Sequence, residues 1–438
     1  MGPPLSPRPP AVTAALAVAL GLTLLADAGL ARAQPADEDE ASPADLGEPD
    51  ADPGGDAAGE DEEVEAEEIG GPEIDRGEGV TEVGFADGFF IKAAGGKYTL
   101  RLSGGVQPAA TLTRTTGPRD WTGAFSVRRA RLALDGNLHG KALRYGLQLD
   151  AGGGVVSAQD LYLDVALGQR LWLRAGQWKR PFSRQQLTPY QRLELGERAI
   201  TDAVFGAGRD LGVAVHNDPG RASGLEWAVG VFNGTGAAPW LGGTVATDPA
   251  TGAGTITGGG FTNVPRELAP AVVARVGLAE GGDGYSEADL EGGPLRWGVA
   301  ASAWLEGDLD RDDASSQRVQ LDYHVKVAGF ASTGGFYGMT RQTGAQPFST
   351  QELAAVGFHL QVGYLVAPRL HLAARYALID ARPAAGAAAA DQHELALGGT
   401  YHGHGHQAKV TASVRLVKTG DASLTDLVLF ELLGFVGW

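Results

Sequence analysis

The chain has 438 residues, no Cys and a formal net charge of −18. That length serves either two or three soluble domains or one large unit with a leader and a tail. Without Cys there is no disulfide framework, so an exported chain of this kind is stabilised by strand pairing and burial. The charge distribution favours the single unit: residues 34–82 hold twenty Asp or Glu against Arg76 alone, while 83–438 are neutral as a whole.

The first 33 residues carry Arg8, an apolar run from Ala11 to Leu25, and the small-x-small sequence Ala31-Arg32-Ala33. This reads as a secretory signal peptide over 1–33, cut after Ala33. The apolar run is short for a membrane helix, and an acidic tract follows it directly. Residues 34–82 are mostly Asp, Glu, Pro, Ala and Gly. Such a composition buries too little apolar surface to offset chain entropy, so a disordered acidic periplasmic tail is expected, a solvated linker rather than a cation-binding or partner-binding arm.

Beyond residue 82, apolar residues or Gly alternate with Arg, Asp, Gln, Ser or Thr, which is the period of a strand and not of a helix. The alternation recurs in segments of roughly ten residues, the length a tilted strand needs to cross a bilayer. About sixteen are expected, near 98–112, 124–138, 142–151, 158–167, 169–178, 209–217, 224–233, 269–279, 295–306, 317–325, 327–340, 353–366, 369–380, 392–402, 407–418 and 425–438. No span beyond the leader has the run of about 18 apolar residues that a membrane helix requires. The expected fold class is therefore all-β, a transmembrane antiparallel β-barrel over 83–438 in the outer membrane, closed so that no strand edge stays unpaired in lipid.

Parity assigns the two faces. In the second segment Arg129, Arg131, Asp135 and Asn137 share one side, and Ala130, Leu132, Leu134, Gly136 and Leu138 the other. A charge at mid-bilayer costs roughly 2–4 kcal/mol on the lipid side, so Arg129 and Arg131 face the lumen. Arg128 has the opposite parity and is expected at the strand opening, near the interface where the cost is small. Similar alternations place Arg144, Gln148, Asp150, Asp160, Tyr162, Asp164, Arg318, Gln320, Asp322, His324, Lys409, Thr411, Ser413 and Arg415 inward. In the last segment Phe430, Leu432, Gly434, Val436 and Trp438 face lipid, but Leu427, Leu429, Leu433 and Phe435 around Glu431 make the inner face apolar too. Packing against an interior loop or a neighbouring protomer would explain that.

Constellations with other chemistry are weak. His402, His404 and His406 alternate with Gly and would share one side of a strand as metal ligands, but a Gly-rich hairpin turn with His at the rim is the preferred reading. Asp308, Asp310, Asp312 and Asp313 lack the Gly and Glu of a calcium loop. His393-Glu394 starts a zinc-protease motif whose second His would fall at Leu397. There is no G-x-S-x-G elbow, phosphate loop or dinucleotide fingerprint, and the basic run Arg128 to Arg131 alternates inside an apolar strand, against a nucleic-acid role.

Five stretches resemble the phosphate-selective porin O and P family: RRARLALDGNL (128–138), RAGQWKRPFSRQQLT (174–188), GAGRDLGVAVH (206–216), GVFNGTG (230–236) and VGYLVAPRLHLAARY (362–376). The resemblance implies a sixteen-stranded, homotrimeric outer-membrane channel whose third extracellular loop, here about 180–208, folds inward and narrows the pore. Outer-membrane lipids, the barrel-assembly machinery and small anions or hydrophilic solutes are the partners it implies. It assigns a pore-lining or constriction role to Arg180, Arg184, Arg192, Arg198 and Arg209, beside the lumenal Arg129 and Arg131. Guanidinium groups favour anions in a pore, but Glu194, Glu197 and Asp202 in the same loop offset them, and local pairing that holds the loop in shape is the other reading. A neutral barrel supports general passive diffusion of small hydrophilic solutes or ions with at most a weak anion or phosphate preference. No enzyme activity, cofactor or metal is expected. The alternative is a plugged structural barrel or adhesin that anchors the envelope through its acidic tail.

Overall fold

A computed structural model of the chain describes residues 79–115, 121–154, 156–218, 224–234, 240–241, 244–247, 254–257, 261–262, 270–281, 285–307, 315–343, 350–383, 391–420 and 427–438. The expected signal peptide, nearly all of the acidic tail and the Asp308 to Asp313 cluster lie outside these residues.

Two short strands, β1 (Val80–Phe85) and β2 (Phe89–Ala93), open the described chain. Seven longer strands follow: β3 (Tyr98–Thr115), β4 (Trp121–Leu138), β5 (Leu143–Asp150), β6 (Ser157–Gly168), β7 (Leu171–Lys179), β8 (Arg209–His216) and β9 (Gly224–Phe232). Between β9 and the next long strand, β10 (Trp240–Leu241) pairs with β13 (Phe261–Thr262), and β11 (Thr244–Thr247) with β12 (Gly254–Thr257). Nine more complete the set: β14 (Ala271–Glu280), β15 (Arg296–Glu306), β16 (Ser315–Val327), β17 (Phe330–Thr343), β18 (Thr350–Ala367), β19 (Leu370–Pro383), β20 (Gln392–His404), β21 (Ala408–Thr419) and β22 (Leu427–Gly437).

Each long strand pairs antiparallel with the next, β9 pairs with β14, and β22 returns to β3 from Leu427 opposite Thr115 to Gly437 opposite Gly105. Sixteen strands thus close into a barrel, and each corresponds to one expected segment. The β1–β2 hairpin was not anticipated. It pairs with residues 98–102 of β3, just past the point where β22 stops, and so covers backbone that closure alone leaves bare. Trp438 seals the seam, exchanging two 2.9 Å backbone hydrogen bonds with Gly104. The first strand starts at Val80, so the structured part begins slightly before residue 83, with Glu82 bound to Lys92 at 2.9 Å.

Burial is inverted relative to a soluble protein. Leu321, Leu132, Leu161, Val299 and Val229 are exposed, whereas Arg129, Arg209, Arg275 and Arg375 are fully buried. Hydrocarbon solvates the first set, and the interior of the cylinder holds the second.

One expectation needs correcting. Arg128 is neither at a strand opening nor turned to lipid, because β4 begins at Trp121. Pairing passes from Gln107–Arg129 to Pro108–Val127, so Arg128 is the extra residue of a bulge, and its guanidinium forms an ion pair with Glu197 inside the barrel, Nε lying 2.8 Å from Oε1. Pro108 opposite has no N–H to give the ladder, which is where such an irregularity is tolerated. The lumen also holds an apolar cluster. Phe182 and Phe205 of the β7–β8 connection pack on inward Trp304, Tyr337 and Met339, with Phe205 stacked on Tyr337 at 5.0 Å. The apolar inner face of β22 has the same cause: Phe435 meets the Tyr190 ring edge-on at 5.3 Å, and Leu433 fills the space that Gly196 leaves open.

Leu321, mid-strand on the outer face, should therefore be intolerant of charge. Leu321→Arg is expected to lower folding stability in phospholipid bilayers by about 2–4 kcal/mol, measured by urea titration followed through Trp fluorescence. An unchanged midpoint would count against the lipid-facing assignment.

Candidate functional site

The connection between β7 and β8 spans 180–208 and contains two short helices, α1 (Arg184–Leu187) and α2 (Ile200–Phe205). It leaves β7 at the end of the barrel opposite the termini. Its contacts are with inward-facing side chains of strands on the far wall, which places it across the cylinder. Asp322 of β16 accepts from the Arg184 backbone N–H at 3.0 Å, and Arg318 donates to the Gly206 carbonyl at 2.9 Å. His359 of β18 meets the Thr201 hydroxyl at 3.2 Å, and Tyr337 of β17 the Ser183 hydroxyl at 3.1 Å.

The principal clamp is Arg375 of β19. Its guanidinium donates to the Glu197 carbonyl at 2.7 Å and the Arg198 carbonyl at 3.0 Å while pairing with Glu394 of β20 at 2.7 Å. Glu394 in turn accepts from the Ile200 N–H at 3.2 Å. The loop reaches nearly to the terminal end, where Glu194 lies beside His371 and His402 and the Thr400 hydroxyl donates to the Glu194 carbonyl at 2.9 Å.

From the terminal end a second connection, between β14 and β15, rises to meet it. The Glu287 N–H donates to the Arg192 carbonyl at 3.1 Å, and the Glu287 carboxylate accepts from the Glu194 N–H at 2.9 Å and from Gln361 at 2.8 Å. Two connections from opposite ends thus touch inside one barrel. Sequence reasoning passed over the lower one; the signal available was its length, long for a turn at this end, together with Glu287 and Asp289.

The charges expected to shape a passage are placed as follows. Arg129 donates to Gln107 at 2.5 Å and reaches Glu197 at 3.4 Å, with Arg131 beside it on Asp150 at 2.7 Å; both guanidinium groups lie over the Tyr190 ring. Arg180 donates to the Ala207 carbonyl, reaches Asp210 at 3.2 Å and stacks on Trp304. Arg184 lies over Tyr285. Arg198 donates to the carbonyls of Gln185, Gln186 and Thr188 at 2.6–2.7 Å, closing the loop on itself. Arg209 is fully buried on Asp160 and Gln148. Arg192 is half-buried at the loop tip. Most of these groups are therefore engaged with protein partners. Arg275 on Asp322 (2.6 and 3.0 Å) and the Arg375–Glu394 pair complete the set and were not singled out from the sequence.

Burial alone would raise the carboxyl pKa of Glu197, but Arg129, Arg128 and Arg415 overturn this and hold it below the usual value. Glu194 is held well below its usual value against the same burial, by Lys409 and by contacts with His371 and His402. Burial lowers His406, in the β20–β21 turn, to about 3, so its ring is neutral. The three His do not share a side: pairing shifts between His402 and His404, His402 and His406 turn inward with rings 5.6 Å apart, and His404 is exposed.

A sixteen-stranded closed sheet with a clamped interior loop is the setting for the comparisons. The sequence pattern of phosphate-selective porin O and P matches residues 100–376. The chain belongs to that family. It is an outer-membrane porin, a barrel for passive diffusion. No curated protein matches its sequence. Among solved structures it is similar to the loop-L8 deletion mutant of OmpT from Vibrio cholerae (12% identity, 78% of this chain and 100% of that one, TM-score 0.52) and to an anion-selective porin from Comamonas acidovorans (13%, 78% and 100%, 0.51). The outer membrane channel DcaP of Acinetobacter baumannii is similar as well (13%, 81% and 100%, 0.51). At these identities the likeness is one of fold.

Two outcomes follow for this porin. Arg375→Met removes the clamp and strands Glu394, at a cost of about 3–5 kcal/mol typical of a broken buried pair. Hydrogen exchange in 193–202 should rise severalfold while the strands keep wild-type protection. A depressed Glu197 pKa gives stabilisation that is present above the unfolded carboxyl value of about 4.3 and lost as pH falls through the lower folded value. Loop protection should therefore hold from neutral pH to about 4 and fail only in stronger acid, and Glu197→Gln should remove that acid-dependent step.

Proposed function

We propose that this porin passes small hydrophilic solutes, with a modest preference for anions, through the part of the lumen that loop 180–208 leaves open beside β3, β4 and β21. One observation carries this reading: although Arg129, Arg131 and Lys409 of β4 and β21 are buried against the loop, two inward guanidinium groups of the same strands, Arg128 and Arg415, remain partly in water. Arg128 is 32% exposed and Arg415 23% exposed, against complete burial of the pairs on the clamped side. Anions are favoured there because guanidinium heads meet them as they shed water.

In this reading Arg129, Arg131, Arg180, Arg184, Arg198 and Arg209 act on the constriction indirectly, by fixing the loop's shape, and Arg192 stands at its tip. The porin works as a homotrimer among outer-membrane lipids after insertion by the barrel-assembly machinery, carries no catalytic step, and trails its acidic segment, from residue 34 to the start of β1 at Val80, as a solvated periplasmic tail behind a cleaved leader at 1–33. The contact between the two inner connections is the feature that favours the second reading, a plugged barrel.

Purified protein in planar bilayers should give stepwise ohmic currents. Reversal potentials in asymmetric KCl should show anion preference, which Arg128→Ala with Arg415→Ala moves towards unity. Silence from well-folded trimers would favour the plugged barrel, and an unchanged ratio in the double variant would remove both Arg from selectivity.

A further inference from the structure

Where the tip of loop 180–208 meets the terminal end of the barrel, one carboxylate and three imidazoles converge from four separate segments. Glu194 Oε2 lies 3.3 Å from His402 Nε2 and 3.1 Å from His371 Nδ1. The donor atoms of Glu194, His402 and His406 all fall within 4.8 Å of one another. Four ligands of a tetrahedral zinc ion, at about 2.0–2.1 Å from it, are themselves about 3.3 Å apart, so the Glu194–His402 edge of such a polyhedron already has the right length.

The proton inventory at His402 is the decisive point. Its Nδ1 is 2.9 Å from the Gly405 carbonyl, an oxygen that can only accept, so Nδ1 carries the hydrogen. Nε2 then faces the Glu194 carboxylate at 3.3 Å, a separation that fits a cation held between the two. A ring N–H donated to a backbone carbonyl, with the other nitrogen free, is also how metal-bound His is commonly held.

The remaining valences point the same way. Nε2 of His371, Nδ1 of His406 and Oε1 of Glu194 are buried without a hydrogen-bond partner. His406 keeps Nε2 on the Ser286 hydroxyl at 3.2 Å, which leaves Nδ1 for a ligand. Gly363 makes room for the His371 ring, since a Cβ there would come within 2.2 Å of it. Lys409 stands 3.9 Å from Oε1 and donates to the Leu193 carbonyl.

We propose that Glu194, His402 and His406, with His371 beside the carboxylate, bind a divalent transition-metal ion of the zinc class. Bound there, the ion ties the tip of loop 180–208 to β20 and to the β20–β21 turn, and through Ser286 to the connection that rises from the terminal end.

The test uses the full mature chain in detergent, stripped with chelator and dialysed against zinc chloride, with bound zinc counted and its X-ray absorption edge recorded. One tightly held equivalent with nitrogen neighbours at about 2.0–2.1 Å is expected. His402→Asn with His406→Asn should weaken it more than tenfold, and the exposed His404→Asn should leave it intact. An all-oxygen shell, which would put the metal on the acidic tail, or equal retention by the folded double variant, overturns the proposal. Should the variant not fold, the wild-type absorption edge still decides. Binding is read without current, so its failure and a failure of conduction are separate results.

Discussion

Hydrocarbon cannot hydrogen-bond a peptide group, and the rest of this structure follows from that single constraint. Each strand must find a neighbour on both sides, which a sheet manages only by closing on itself. Closure fixes the strand number, the return of β22 to β3 and the need for a patch where the two differ in length. The β1–β2 hairpin is that patch, and its outward Phe85 and Phe89 continue the apolar belt. Closure also separates two solvents by one backbone thickness, so that consecutive side chains obey opposite rules.

The interior then has a problem of its own. Many charged groups sit in a confined volume, and each left unpaired would cost several kcal/mol. Chains of Arg and carboxylate side chains, such as Arg174 on Asp164 and Arg275 on Asp322, meet that demand. They also supply the rigid frame to which loop 180–208 is attached. Its backbone carbonyls are satisfied by Arg375, Arg318 and Lys409, which lie on strands far apart in sequence. The same groups that neutralise the wall therefore position the loop, and the apolar cluster of Phe182 and Phe205 excludes water from one flank of it.

Period and parity in the sequence determined the barrel, its sixteen strands and which side chains face lipid, because a two-residue repeat read against the cost of a charge in hydrocarbon has only one solution. The lumenal positions of Arg129, Arg131, Asp164 and Lys409 were legible for the same reason. The double apolar face of β22 also signalled an interior partner, which proves to be Tyr190 and Gly196. Arg128 was misread because a bulge resets parity locally, and its cause lies on another strand, at Pro108.

Only the tertiary structure decided how the lumenal charges are shared. Alternation says that Arg375 and Glu394 face inward but not that they meet each other and the backbone of Glu197 and Arg198, since barrel closure and loop docking bring together groups 177 and 178 residues apart. The His402 and His406 pair shows the same division. Spacing pointed to a Gly-rich hairpin turn over three His on one side of a strand; the structure has that turn, and the shifted pairing brings His402 and His406 to Glu194, which His371 also meets, from elsewhere in the chain. Local sequence encodes a side chain's direction because that depends on its own backbone, whereas its partner depends on which distant segments the closed sheet brings within reach.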